Sequence, residues 1–183
     1  MIPSDNQVHA LWDKYRLPDK KRLHVTLVSK VALFFAHKLK QKDPHAVINE
    51  PLLRASALLH DIDKNAPKLR GEQHPDACVR ILEEEGMDEV ARLVRTHPLH
   101  AIINPEISPK TTEERLLFLA DKMVKYEIIT VDKRFDLWRS EPLAPEVRAM
   151  IEACYPKVKE LEYDIFQKLG VKPSSIAQVA QTE

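Results

Sequence analysis

Glycine is nearly missing from this chain: Gly71, Gly86 and Gly170 are the 3 glycines in 183 residues. No glycine-rich phosphate loop can be assembled from them. With this composition, phosphate would have to be handled by cations or other side chains. Net charge is missing too, since 28 Lys+Arg balance 28 Asp+Glu. No overall field attracts nucleic acid or an anionic membrane. Cysteine is limited to Cys78 and Cys154, far apart and in no paired pattern. That excludes a disulfide framework and suits reduced thiols in the cytoplasm. No apolar run approaches the roughly 18 residues of a membrane span. The longest candidate, Val25 to Leu39, is broken by Ser29, Lys30, His37 and Lys38. The first residues show no basic segment followed by an apolar core, so no signal peptide is expected. No Ser-His-Asp or Cys-His nucleophile set is evident either.

What the chain does have is helical periodicity. It is 44% hydrophobic and 31% charged, enough apolar material for one globular domain with a sizeable core. Ser4 is placed to cap a helix reaching about Arg16, with Val8, Leu11, Trp12 and Tyr15 on one face. A second helix is expected from about Lys20 to Gln41, its apolar face carrying His24, Val28, Val31 and Phe35. Pro51 opens a short, nearly all-apolar helix ending at Leu59, which belongs at the centre of the core. His74-Pro75 opens a fourth helix, stopped by Gly86. Asp88 caps a fifth, ending near His97-Pro98. Residues 98–110 read as irregular. Thr111 and Glu114 form a capping box for the helix that carries Leu116 to Met123. The β-branched run from Val124 to Asp132 fits a short strand or a continuation of that helix equally well. Pro145 begins the last long helix, where Pro156 should impose a kink and Gly170 a stop. The expectation is an all-α fold of about seven or eight helices in a single domain, 1–183. A helical core would span about 20–126, a C-terminal helical extension about 135–170, and a loose polar tail 172–183.

The stretch with chemical content is Leu58-Leu59-His60-Asp61-Ile62-Asp63-Lys64. An imidazole and a carboxylate at the end of an apolar helix are costly to bury without compensation. A metal ion compensates both, because both are natural ligands. Other ligand-type side chains fall in similar settings. His24 lies on the apolar face of helix two, and His74 and His97 sit at helix ends, each before a proline. Asp121 is embedded in Leu117-Phe118-Leu119-Ala120-Asp121-Lys122. Each has a plain structural alternative. His24 can be a core-edge imidazole bonded to a carbonyl, Asp61 a turn cap, and Asp121 an ion-pair partner of Arg115 or Lys125. His74 and His97 can simply mark helix boundaries. His100 can be a ligand, a supporting group, a phosphate contact or a surface-loop residue. His9, His37 and His45 read as solvent-facing.

The order His24, then His60-Asp61, then Asp121 resembles the HD-domain metal-dependent phosphohydrolases. The likeness spans roughly residues 20–126, and it implies that these side chains hold a first metal ion. His74 and His97 match two further histidines of members with a dinuclear site, in which the Asp of the pair bridges both ions. His60-Asp61-Ile62-Asp63-Lys64 is similar to the family's HD-x-x-K segment, with Asp63 where many members have Gly. Leu119-Ala120-Asp121-Lys122 is similar to the last-ligand segment of the subgroup that cleaves diadenosine tetraphosphate symmetrically. Met123-Val124-Lys125-Tyr126 departs from that subgroup's Ile-Glu-Pro continuation.

The resemblance implies an enzyme in which a metal-bound hydroxide attacks a phosphate ester or anhydride of a small, nucleotide-like substrate. Its implied metal ligands are His24, His60, Asp61, His74, His97 and Asp121, with Asp61 and Lys64 catalytic. Lys64, Arg95, His100 and Lys122 are the candidates to meet substrate phosphate, although either lysine can equally be a surface charge. Asp63 can accept a hydrogen bond from a metal-bound histidine or stand exposed. Tyr126, Phe135 and Trp138 line a substrate pocket or belong to the core. His and carboxylate ligands without thiolate favour divalent transition-metal ions, Fe, Mn, Co or Zn, and the resemblance implies two of them. The alternatives are a symmetrical diadenosine tetraphosphate hydrolase and a non-catalytic regulatory module that binds nucleotide and metal. The expected partner is the small phosphorylated substrate, with neither nucleic acid nor membrane involved, a homodimer left open, and a cytoplasmic location.

Overall fold

The computed structural model describes residues 1–179. The described residues form nine α-helices: α1 (Asp5–Lys14), α2 (Asp19–Lys42), α3 (Glu50–Leu59), α4 (Asp76–Glu84), α5 (Asp88–Val94), α6 (Thr112–Lys122), α7 (Val131–Arg139), α8 (Pro145–Leu169) and α9 (Ile176–Val179). Short 3-10 turns stand at Ile62–Lys64, Leu99–Ile103 and Pro173–Ser175. The fold is all-α, and the β-pairing among the described residues is one isolated bridge, Val124 to Ile128. No helix among them is long and apolar enough to cross a membrane.

Local chemistry sets most helix ends. The Ser4 N–H donates to Gln7 Oε1 (2.8 Å) before α1. Asn49 Oδ1 accepts the Leu52 N–H (3.1 Å) at the start of α3, with Pro51 in its first turn. Thr111 Oγ1 and the Glu114 carboxylate close the capping box of α6 from both sides (3.2 and 2.9 Å). Each such cap satisfies an orphan donor and contributes about 1 kcal/mol. Gly170 ends α8 at φ 69°, a left-handed cap that favours glycine.

α2 and α3 form the spine, because both contribute to two apolar clusters. In one, Val28, Val31 and Phe35 of α2 and Leu53 of α3 meet Leu117 and Phe118 of α6, Phe135 of α7 and Ile165 of α8. In the other, Val25 of α2 and Leu58 and Leu59 of α3 meet Leu11 and Trp12 of α1, Leu82 of α4 and Val90 of α5. Burial of these side chains, on the order of 2 kcal/mol each, drives the packing.

The structure departs from the sequence expectation in several places. Asp88 is the first residue inside α5, and Met87 occupies the cap. Residues 98–110 contain the Leu99–Ile103 turn, which packs on α8. The run after Lys122 is neither strand nor helix continuation. It makes a tight turn closed by the Val124–Ile128 bridge, then enters α7, which starts at Val131, ahead of the helical extension expected from about 135. Thr130 caps α7 through the Lys133 N–H (3.2 Å). α8 is the long helix expected from Pro145 to the Gly170 stop, with Pro156 inside it. Part of the expected tail is ordered, because Ile176 of α9 is buried in the first apolar cluster. The rest of that tail, 180–183, lies outside the described residues.

Candidate metal centre

The end of α3 is held by donors from several parts of the chain. The last carbonyls of a helix lack intrahelical partners. Here the Trp12 indole N–H donates to the Leu58 carbonyl (2.9 Å). The Cys78 thiol reaches the Leu59 and His60 carbonyls (3.3 and 3.4 Å). His60, the C-cap, and Asp61, which opens the following 3-10 turn, are thereby fixed at the edge of both clusters. His24 comes from α2, Asp121 from the last turn of α6, His74 from the segment before α4 and His97 from just after α5.

All four imidazoles are oriented the same way. Nδ1 of His24 lies 3.0 Å from the Lys125 carbonyl. Nδ1 of His60 lies 2.8 Å from the Ala57 carbonyl, and Nδ1 of His97 lies 2.5 Å from the Val94 carbonyl. Nδ1 of His74 lies 2.9 Å from Asp63 Oδ1. These oxygens only accept, so each Nδ1 carries the hydrogen and donates it. In the neutral rings every Nε2 is then left with a lone pair, and the lone pairs face one another. His24 Nε2 is 3.3 Å from His60 Nε2, and His74 Nε2 is 2.9 Å from His97 Nε2. Asp121 Oδ1 joins the first pair, at 3.0 Å from His24 and 3.4 Å from His60. Asp61 spans the halves: Oδ2 is 4.0 Å from His24 Nε2, and Oδ1 is 3.8 Å from His74 Nε2.

Such a set fits metal ions. With metal–nitrogen bonds of about 2.0–2.1 Å, two nitrogens at tetrahedral or right angles stand roughly 2.9–3.4 Å apart. Three overlapping groups have ligand atoms within 4.8 Å of one another: His24, His60 and Asp121; His60, Asp61 and His97; Asp61, Asp63 and His74. Bare acceptors at contact distance repel, so the cluster draws positive charge. Burial alone would lower the His60 imidazole, yet Asp61 and Asp121 outweigh it and raise its pKa. Burial, then His60 and His74, pushes His97 well below the usual range. Burial alone would raise Asp61, but His60, Lys64 and Lys21 hold it below the carboxylate range. Asp121 is held low in the same way, chiefly by Lys122.

The structure thus brings the six expected ligand residues together. Asp63 is fully buried and accepts the His74 N–H, the first of the two roles its position allowed. Lys64 Nζ stands 3.2 Å from Asp61 Oδ1. Lys122 is not at the surface: it is 2% exposed, and its ammonium donates to the His97 carbonyl (2.7 Å) and Asp121 Oδ2 (2.5 Å). Its stem places that ammonium 4.4 Å from the centroid of the Phe118 ring. Arg95 is half exposed and faces Glu83 at 3.8 Å. His100 is exposed on the Leu99–Ile103 turn, and neither it nor Arg95 shows a hydrogen bond or ion pair to the six. Phe135 is core, whereas Tyr126 is half exposed with Lys20 over its ring at 5.9 Å.

Lys21 escaped the sequence reading. Its Nζ is 2.8 Å from Asp61 Oδ2, and the signal was its place one helical turn before His24. The Trp12 and Cys78 anchors left no local signal at all.

In comparison with known protein families, the model of the HD domain family matches residues 23–125, more than half of the chain. No curated protein and no solved structure shows a significant match.

Proposed function

We infer that this chain, which belongs to the HD-domain family, is a metal-dependent phosphohydrolase acting on a phosphate ester or anhydride of a small, nucleotide-like substrate. One observation carries the reading. Four buried or half-buried imidazoles each spend the Nδ1 hydrogen on an acceptor and turn Nε2 toward two carboxylates. With neutral rings the cluster pairs acceptors with acceptors, an arrangement that calls for a cation among them. Two ions are proposed, one held by His24, His60 and Asp121 and one by His74 and His97, with Asp61 offering an oxygen to each half.

Divalent ions bound there would lower the pKa of water and neutralise phosphate oxygens. The protein's own groups do the rest. Asp63 fixes the ring and tautomer of His74. The carbonyls of Ala57, Val94 and Lys125 fix the other rings. Lys64, at the open side of Asp61, is placed to meet a phosphate oxygen, and charge neutralisation is what phosphoryl transfer most needs. Tyr126 follows Lys125, whose carbonyl holds His24, and offers an aromatic surface for a base.

The test begins with elemental analysis of protein purified without chelator, expected to give two transition-metal ions per chain. Protein reconstituted with Mn, Fe, Co or Zn is then assayed for phosphate release. The panel is nucleoside monophosphates, cyclic nucleotides and diadenosine tetraphosphate. Absence of metal refutes the reading. Metal without turnover on any compound would make the chain a binding module instead.

A further inference from the structure

We propose that Lys21 and Lys64 form a two-pronged clamp for the oxygens of a phosphoryl group lying over Asp61, with Lys21 as a substrate-binding residue. The clamp rests on the metallo-phosphohydrolase reading above. The two ammoniums approach one carboxylate from different elements. Lys21, in the first turn of α2, is 2.8 Å from Asp61 Oδ2, the oxygen nearer His24. Lys64, in the 3-10 turn, is 3.2 Å from Oδ1, the oxygen nearer His74. Each half of the cluster therefore has its own lysine. The side chain of Asp61 is 6% exposed, while those of Lys21 and Lys64 are 34% and 26% exposed. The acid is inside and the cations are on the rim.

An ammonium has three N–H donors. Asp61 takes one from Lys21, and no other hydrogen bond or ion pair engages that ammonium among the described residues. The remaining donors open toward solvent beside the cluster. A carboxylate oxygen can accept from a lysine on one side while offering a lone pair to the other, so clamp and ligand roles coexist. Helix energetics do not explain Lys21, because a cation in the first turn opposes the helix dipole. Its spacing explains it better: three residues before His24, it lies on the ring's own face of α2.

The experiment titrates orthophosphate calorimetrically into Mn-loaded protein, with metal content measured on each sample. Lys21→Met keeps the stem and removes the charge, and Lys21→Arg keeps the charge. Lys21→Met should weaken phosphate binding on the order of tenfold or more, with metal content unchanged, and Lys21→Arg should recover part of it. Equal phosphate affinity in wild type and Lys21→Met overturns the clamp. Loss of metal from Lys21→Met also overturns it, because Lys21 would then only support Asp61. Wild-type protein that holds metal but no phosphate overturns the clamp and spares the metal reading. Wild-type protein that takes up no metal removes both.

Discussion

Replacing Asp63 by Asn tests whether the imidazoles are tuned from behind. Asp63 is fully buried, and its Oδ1 receives the Nδ1 hydrogen of His74 at 2.9 Å. The nearest cation to its other oxygen is Lys68, at 4.0 Å and too far for a hydrogen bond. Asn keeps the shape and the accepting oxygen but removes the charge that makes His74 Nε2 a stronger donor to metal. Loss of such a partner costs about 10–100-fold in metal affinity, or about 1.4–2.7 kcal/mol. The loss should fall on one half of the cluster. His24 and His60 lean on the Lys125 and Ala57 carbonyls, which the substitution does not touch. Titration of metal into stripped protein against a chromophoric chelator should show two steps, with only one weakened in Asp63→Asn. Two unchanged steps, or an equal loss in both, would refute the reasoning. Asp63→Ala strands the His74 N–H altogether and should cost a further ~1–3 kcal/mol of folding stability, read from urea unfolding.

The other consequences concern the metals directly. His74→Ala combined with His97→Ala should leave about one ion per chain, and elemental analysis finding two would sink the dinuclear assignment. Asp61→Ala should abolish both metal binding and activity, while a full metal complement would contradict its bridging place. Chelator treatment should lower the melting temperature, since ligand at a hundred times its dissociation constant stabilises by about 2.7 kcal/mol. An unmoved melting temperature would mean that folded and unfolded chains hold metal alike.

The parts of this molecule that could be read in advance are those written locally. Thr111 with Glu114, Pro51 and Gly170 announce helix ends because caps depend on neighbours three or four residues away. The start of α7 was hidden because Thr130 sits inside a β-branched run and has Lys133, not an acid, at the reciprocal position. The six ligand-type residues stood out because polar groups on apolar helix faces demand an explanation. Their shared ring orientation could not be read, because it depends on carbonyls as remote as Lys125 is from His24. Lys21 was legible in spacing but masked by type, as a lysine among lysines in a polar helix start. Lys122 misled by type in the other direction. Its neighbours in sequence do not reveal that Phe118 and the His97 carbonyl would draw its ammonium inward.

Lys122 also explains how so electronegative a junction folds. The C-terminal ends of α3, α5 and α6 all reach the cluster, through the Ala57 and Val94 carbonyls and Asp121. Helix C-termini each carry roughly half a negative charge, added here to two carboxylates. Lys122 is the chain's own buried cation at that junction, donating to the His97 carbonyl and to Asp121 Oδ2. The contact uses the Asp121 oxygen that faces away from His24 and leaves Oδ1 for the cluster. Burial lowers the Lys122 pKa, but Asp121 opposes the shift and keeps the ammonium worth retaining. Lys122→Met should fill the same space and strand the acid. Removing one partner of a buried pair costs about 3–5 kcal/mol, and here the loss should be largest in metal-free protein, where no ion compensates Asp121. Urea unfolding of metal-free and metal-loaded Lys122→Met separates the effects. A destabilisation of similar size in both forms would make Lys122 an ordinary packing residue, and none in either would refute the account of the junction.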